Sequence, residues 1–233
     1  MARQERAERT RMVLIRAAAA SFDQVGFAMT GLNDVTRPTG ISKGALYFHF
    51  GSKELLAEAV MAESRHGLRE VVRRARRAGG CPLQYLIDLS HGLAHLLATD
   101  IVFRAGLRLT DDNGLTEQQR PNPHPAWIRL ITRQLSRSAS AGRMHPEAGV
   151  EEAAGLLAAA TAGVEIIARR DRDWLEPKVI TRLWQAVLPL LVPAEQLDDI
   201  RTSPRPSVDV PAGDPIGDPI AASVAGRAGH SAR

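Results

Sequence analysis

The chain is poor in cysteine and lysine and has no long apolar run. One cysteine, Cys81, among 233 residues excludes an internal disulfide and suits a reducing compartment; locally it reads as a small loop residue. No stretch of about twenty uncharged apolar residues occurs, the length a bilayer-crossing helix needs, so no membrane partner is expected. The opening MARQERAERTR lacks the apolar segment of a signal peptide, which places the chain in the cytoplasm. Sustained apolar–polar alternation between Asn-Gly or Asp-Gly turns is also missing, which argues against a sheet. No nucleophile elbow, phosphate-cradling glycine loop, metal triad or paired-carboxylate motif is visible, so the chain reads as no enzyme and as needing no cofactor.

What is present is apolar mass at helical spacing. Hydrophobic residues make up 44% of the chain, enough for a substantial core, and they gather in segments long enough for helices, giving an all-α fold. The net charge of +4 is unevenly spread. Residues 1–80 carry fourteen Lys and Arg against eight Asp and Glu, and the remainder is slightly acidic. A basic head on an acidic body is the footprint of phosphate binding. Only Lys43, Lys53 and Lys178 are lysines, and two of them fall in one short stretch; with so many arginines, codon bias is an equal reading.

That stretch is Thr30 to Lys53, TGLNDVTRPTGISKGALYFHFGSK. It reads as a short helix from Leu32 to about Arg37, a turn at Thr39-Gly40-Ile41, a second helix opened by Ser42, and a stop at Gly51. Gly40 stands where the turn needs a conformation costly for other residues, and Ser42 can cap the next helix. Leu32, Val35, Ile41, Leu46 and Phe50 face one small core, with Phe48 adding apolar mass. In such a helix-turn-helix the second helix enters the DNA major groove with its first residues nearest the bases. Lys43 is assigned to guanine O6 and N7, with Asn33, Gly44 and Tyr47 as further groove contacts. Thr30, Ser42, Tyr47, His49 and Lys53 are assigned to phosphates. Thr30 is expected to replace Gly31 as the first helix's cap, and Pro38 to end that helix early.

The run GISKGALYFHF followed by SKELL resembles the DNA-binding signature of the tetracycline-repressor (TetR) family. KGALYFHF, the MARQERAERT opening and RAGLRLT at Arg104–Thr110 together resemble its branch of γ-butyrolactone receptors and pseudo-receptors. The likeness is strong over residues 1–60, moderate over 100–192 and absent beyond about 195. It implies a homodimer on a palindromic operator in double-stranded DNA at the nucleoid, released by a small apolar ligand, and control of antibiotic biosynthesis. The chain's pI of 9.8 is closer to the pseudo-receptors, which tend to be basic. An efflux-pump repressor sensing many drugs is the alternative.

In chain order, Gln4–Val25 is a first helix with Met12, Ile15, Ala18, Ala19 and Phe22 inward; Arg3 and Arg6 read as a flexible arm or as a solvated helix start. These residues and the motif make a three-helix domain over 1–52. A body of further helices, about nine in all, spans 53–192. Lys53–Arg77 is a long amphipathic helix whose late arginines read as a solvated face. Pro82 starts a helix in which His91 and His95 lie four apart, read as partly exposed rather than metal-binding. Asp100 caps the helix Ile101–Leu109, and a polar loop precedes a helix from about Ala126. Alanine-rich Glu151–Arg169 and the last helix, to about Leu191, suit a four-helix dimer interface through Leu183, Trp184, Val187 and Leu188. The resemblance implies the same pairing. It also implies a ligand pocket in the body: Trp127 covering the ligand, Thr161 and Glu165 orienting it, and Tyr85, Leu89, Phe103, Leu107, Thr110 and Ile131 as lining. From Pro193, composition shifts to Pro, Gly, Ala, Ser and Asp, including GDPIGDPI at Gly213–Ile220. Residues 193–233 therefore read as a disordered tail.

Overall fold

The computed structural model describes residues 2–205, and every regular element among them is helical. These residues divide into two compact units, one of residues 2–66 and 100–121 and the other of 67–99 and 122–205.

The first unit is built on α1 (Ala2–Val25). Leu14, Ile15, Ala18 and Phe22 recur at three- and four-residue intervals and are fully buried. Each such aliphatic or aromatic side chain contributes about 1.5–3 kcal/mol. They share one core with Val35 of α2 (Leu32–Thr39), Leu46 and Phe50 of α3 (Lys43–Phe50), and Leu56 and Val60 from the first part of α4 (Lys53–Arg77). Arg3 and Arg6 lie within α1 and do not form a separate arm.

Helix α6 (Ile101–Thr110) belongs to this unit, whereas the sequence assigned it to the body. Arg104 and Arg108, four apart on one face, both reach Asp23 in the last turn of α1. Arg104 Nε donates to the carboxylate at 3.1 Å, and the Arg108 guanidinium donates to the Asp23 carbonyl. Val102, Ala105 and Leu109 complete the attachment by joining the core. Asp100 caps α6 as expected, accepting from the backbone N–H groups of Val102 and Phe103.

The second unit holds the end of α4, then α5 (Pro82–Thr99), α7 (His124–Ser140), α8 (Val150–Ala168), a 3-10 turn at Arg172–Leu175, α9 (Pro177–Leu191) and α10 (Ala194–Leu197). Helix α5 is buried on almost every side, and its Gln84, Asp88 and His91 are buried polar residues. Spaced at i, i+4 and i+7, they form one stripe. The chain from Arg201 to Arg205 lies along it. Arg201 N–H donates to Gln84 Oε1 at 2.9 Å, while Gln84 Nε2 donates back to the Arg201 carbonyl at 3.1 Å. His91 Nε2 donates to the Thr202 carbonyl at 2.8 Å. Arg205 Nε donates to Asp88 Oδ1 at 3.0 Å, and its Nη2 pairs with Oδ2.

The segment read as a disordered tail is thus ordered as far as Arg205, because α5 supplies the polar partners its backbone needs. The rest of that segment, GDPIGDPI included, lies outside the described residues. His91 is buried and bound to this strap, not partly exposed. No group of side chains suited to a metal ion occurs among the described residues.

Candidate DNA interface and ligand cavity

The turn between α2 and α3 follows its glycines. Gly40 takes a left-handed conformation at φ 68°, and Gly51, just past α3, also has a positive φ, 73°. Ser42 Oγ accepts from Ala45 N–H at 3.2 Å, fixing the first turn of α3. Pro38 does not end α2 early; the helix continues to Thr39. A proline in the last turn forfeits one hydrogen bond there. Thr36 and Thr39 hydroxyls donate to the carbonyls of Leu32 and Thr36 and hold the turn together.

Around this turn, Asn33, Ser42, Lys43, Gly44 and Tyr47 are exposed and His49 is half-buried between the Phe48 and Phe50 rings. Lys43 opens α3, and Tyr47 stands one turn further on the same face. A Cβ added at Gly44 would meet nothing nearer than Ser42 Oγ at 3.9 Å. The fold itself therefore does not require glycine there.

Four expectations are corrected. Thr30 is 2% exposed and its hydroxyl donates to the Gly26 carbonyl at 2.7 Å, so it neither caps α2 nor offers itself to phosphate. Gly31 is the N-terminal cap residue, and its N–H is taken by Asp34 Oδ2 at 2.8 Å. Lys53 Nζ donates to the Thr30 carbonyl at 2.7 Å and sits 4.3 Å from the centre of the Phe27 ring, clamping the chain before α2 rather than reaching outward. Phe48 is 84% exposed and adds nothing to the core. Beside Lys53, the Glu54 carboxyl is held below its ordinary value of 4.5 by its own backbone N–H and by the Ser52 hydroxyl. That contribution is complete above the ordinary value and fades as pH falls through the lowered one.

The second unit holds a half-open apolar cavity of about 100 Å³ between α5, α7, α8 and α9. Trp127, Ile131 and Thr161 line it. Leu89 is fully buried but outside the lining, Tyr85 lines a different recess, and Phe103, Leu107 and Thr110 belong to α6 in the first unit. Glu165 is engaged with Arg169 Nε at 2.8 Å and does not line the cavity.

The polar groups of the wall are few and their free valences are definite. Ser90 and Thr161 hydroxyls donate to the carbonyls of Leu86 and Leu157, each at 2.8 Å, leaving lone pairs to accept. Trp127 Nε1–H is buried without a partner among the described residues, a cost of about 1–3 kcal/mol until an acceptor arrives.

Leu183, Trp184 and Val187 also line this cavity, and Trp184 and Leu188 are buried within the unit. Trp184 and Leu188 therefore have little apolar surface left for a partner copy, while Leu183 and Val187 are half-buried. The exposed apolar residues on these helices are instead Leu156, Ile166 and Ile167 of α8 and Leu190 of α9. Sequence reasoning missed them, and it missed Ser90. The signal was available: Leu156 and Ile166 sit among the small residues Gly155, Ala159 and Gly163, a face that suits close helix approach.

Known proteins share this arrangement. Residues 14–60 match the family described as bacterial regulatory proteins, tetR family, and residues 81–193 match the tetracyclin repressor-like C-terminal domain. The A-factor receptor protein of Streptomyces griseus is 30% identical over 190 residues, which are 81% of this chain and 66% of that protein. The TetR family protein CprB from S. coelicolor A3(2) superposes with a TM-score of 0.72 at 31% identity, over 82% of this chain and 92% of that one. A gamma-butyrolactone receptor described as ArpA-like gives 0.71 at 30% identity, with the same coverage of both chains. With an N-terminal helix-turn-helix, a helical C-terminal unit and these relatives, the chain belongs to the tetR family of bacterial regulatory proteins.

Proposed function

We propose that the chain is a dimeric repressor that leaves its palindromic operator when a small lactone-like or antibiotic-related molecule fills the cavity, and that it governs secondary-metabolite biosynthesis. The buried, unpartnered Trp127 N–H in an apolar wall carries this reading. A molecule with a carbonyl or ring oxygen supplies the missing acceptor, and a hydroxyl on the same molecule can donate to Thr161 or Ser90. At about 100 Å³ the cavity is smaller than the ~300–1,000 Å³ of most small-molecule sites, so such a ligand must spread the surrounding helices. A ligand that requires the spread arrangement weakens DNA binding only through its preference for that arrangement. Helix α4, 25 residues without a break, is the lever.

On the DNA side, Lys43, Tyr47 and Asn33 form the groove-reading group, Ser42 and His49 serve phosphates, and Gly44 leaves room for close approach of the duplex backbone. Dimerisation through the outer apolar residues of α8 and α9 sets two such heads on one palindrome. An efflux-pump repressor is the less supported alternative, since two of the named relatives are by their own descriptions an A-factor receptor and a gamma-butyrolactone receptor.

Lys43→Ala is expected to lower operator affinity about 10–100-fold, the equivalent of about 1–3 kcal/mol for one lost base contact, and to relax sequence preference. Gel-shift titration on the chain's own upstream DNA measures it, and unchanged affinity and preference would defeat the assignment. Trp127→Ala is expected to keep operator binding while raising the lactone or furan concentration needed for release by about tenfold or more, in line with the cost of the lost donor. Release at the unaltered concentration would remove Trp127 from the site.

A further inference from the structure

A second recess, of about 490 Å³, lies in the same unit where the end of α4 and the start of α5 meet α7. Its wall carries three guanidinium groups, Arg76 from α4 and Arg133 and Arg137 from α7. All three are exposed, and none has an acidic partner among the described residues. Arg133 and Arg137 stand four apart on one helical face, where like charges repel. No carboxylate lines the recess. The arginines therefore surround a polar space with uncompensated positive charge.

Two deeper residues distinguish this place from an ordinary solvated surface. Gln134 is 5% exposed and Tyr85 is 8% exposed, yet both line the recess. The side-chain amide of Gln134 and the hydroxyl of Tyr85 make no hydrogen bond to any described residue. Their donors reach the basic opening instead of being sealed away from it. The 18-residue helix α5 also begins here, with Cys81 and Pro82 in the wall, so the positive end of its dipole adds to the field.

We propose that this recess binds a small multivalent oxyanion, a di- or tricarboxylate or a phosphate, at a site separate from the apolar cavity. The planar forks of Arg133, Arg137 and Arg76 suit paired oxygens, while Tyr85 and Gln134 donate to the oxygens that face inward. The space exceeds what a bare ion needs and admits an organic body of several heavy atoms.

The full chain, dialysed free of buffer anions, is titrated calorimetrically with citrate and, separately, with inorganic phosphate, each against sodium chloride at equal ionic strength. Saturable binding of one anion per chain is expected with at least one probe and not with chloride. Citrate alone identifies a carboxylate site, phosphate alone a phosphate site, and both a general oxyanion site. The double variant Arg133→Ala/Arg137→Ala should weaken binding about tenfold or more while keeping operator affinity, which shows it is folded. Tyr85→Phe, which removes one oxygen, should weaken it several-fold. No saturation with either probe up to millimolar concentration, or undiminished affinity in the double variant, overturns the proposal.

Discussion

Asp88→Ala should lower the stability of the second unit by about 3–5 kcal/mol, the usual cost of removing one partner from a buried ion pair. Asp88 is 0% exposed, so its carboxylate depends on its partners. It accepts from Gln84 Nε2 at 3.1 Å and from Arg205 through both of its oxygens. Arg205 in turn donates to the Ala78 carbonyl at 3.1 Å and the Gly79 carbonyl at 2.8 Å, covering acceptors just past the end of α4. Alanine at 88 removes the anion, leaves the half-buried Arg205 guanidinium without its acidic partner and loosens the strap that Gln84 and His91 also hold. Urea unfolding followed by circular dichroism measures the loss. Arg205→Ala should cost a similar amount, and the double variant much less than the sum, since the two residues act as one unit. A change within about 0.5 kcal/mol for Asp88→Ala, typical of unremarkable surface positions, would mean the pair contributes nothing.

The second large effect has the opposite sign from what helix propensity suggests. Gly106 lies inside α6, where alanine is ordinarily better than glycine by about 1 kcal/mol. Here a Cβ would stand 2.2 Å from Ser64 Cβ and 2.4 Å from its Oγ. Ser64 is itself buried, with its hydroxyl directed at the Phe103 carbonyl, and its Cβ cannot swing aside as the tip of a long side chain could. Gly106→Ala is therefore expected to destabilise the first unit by about 1–3 kcal/mol, the range for overpacked cores. Adding Ser64→Gly, which leaves only an ordinary 3.7 Å contact with the Ser64 Cα, should restore most of it. Thermal melting of the single and double variants checks this, and an unaffected or raised melting temperature in the single variant would refute it. The glycine of the RAGLRLT run thus has a steric cause.

The helix-turn-helix is legible in the sequence because its determinants act over a few residues. Gly40 and Gly51 need only their own backbone, Ser42 needs only the N–H three residues on, and Val35, Leu46 and Phe50 need only helical spacing. The cavity is partly legible, since Trp127, Ile131 and Thr161 face it from consecutive turns of α7 and from α8. What escaped depends on distant partners. The Gln84, Asp88 and His91 stripe is visible as spacing, but its meaning lies more than a hundred residues away in the strap. Placing α6 requires knowing that Arg104 and Arg108 meet Asp23. Trp184 and Phe48 show the remaining ambiguity: periodicity finds apolar residues but does not say which of two neighbouring surfaces, or neither, will cover them. Thr30 and Lys53 failed for a related reason, since a hydroxyl or ammonium that looks available in sequence can be consumed by a nearby carbonyl.

The clamp formed by Lys53 over Phe27 leaves this chain unusually simple toward amine-directed acylation. Of three lysine side chains, one has its ammonium committed to backbone carbonyls and an aromatic face. Another, Lys178, is exposed beside Glu176 in the second unit. That leaves Lys43 as the lone accessible ε-amino group of the helix-turn-helix, where a single acetyl group would erase the positive charge at the tip of α3.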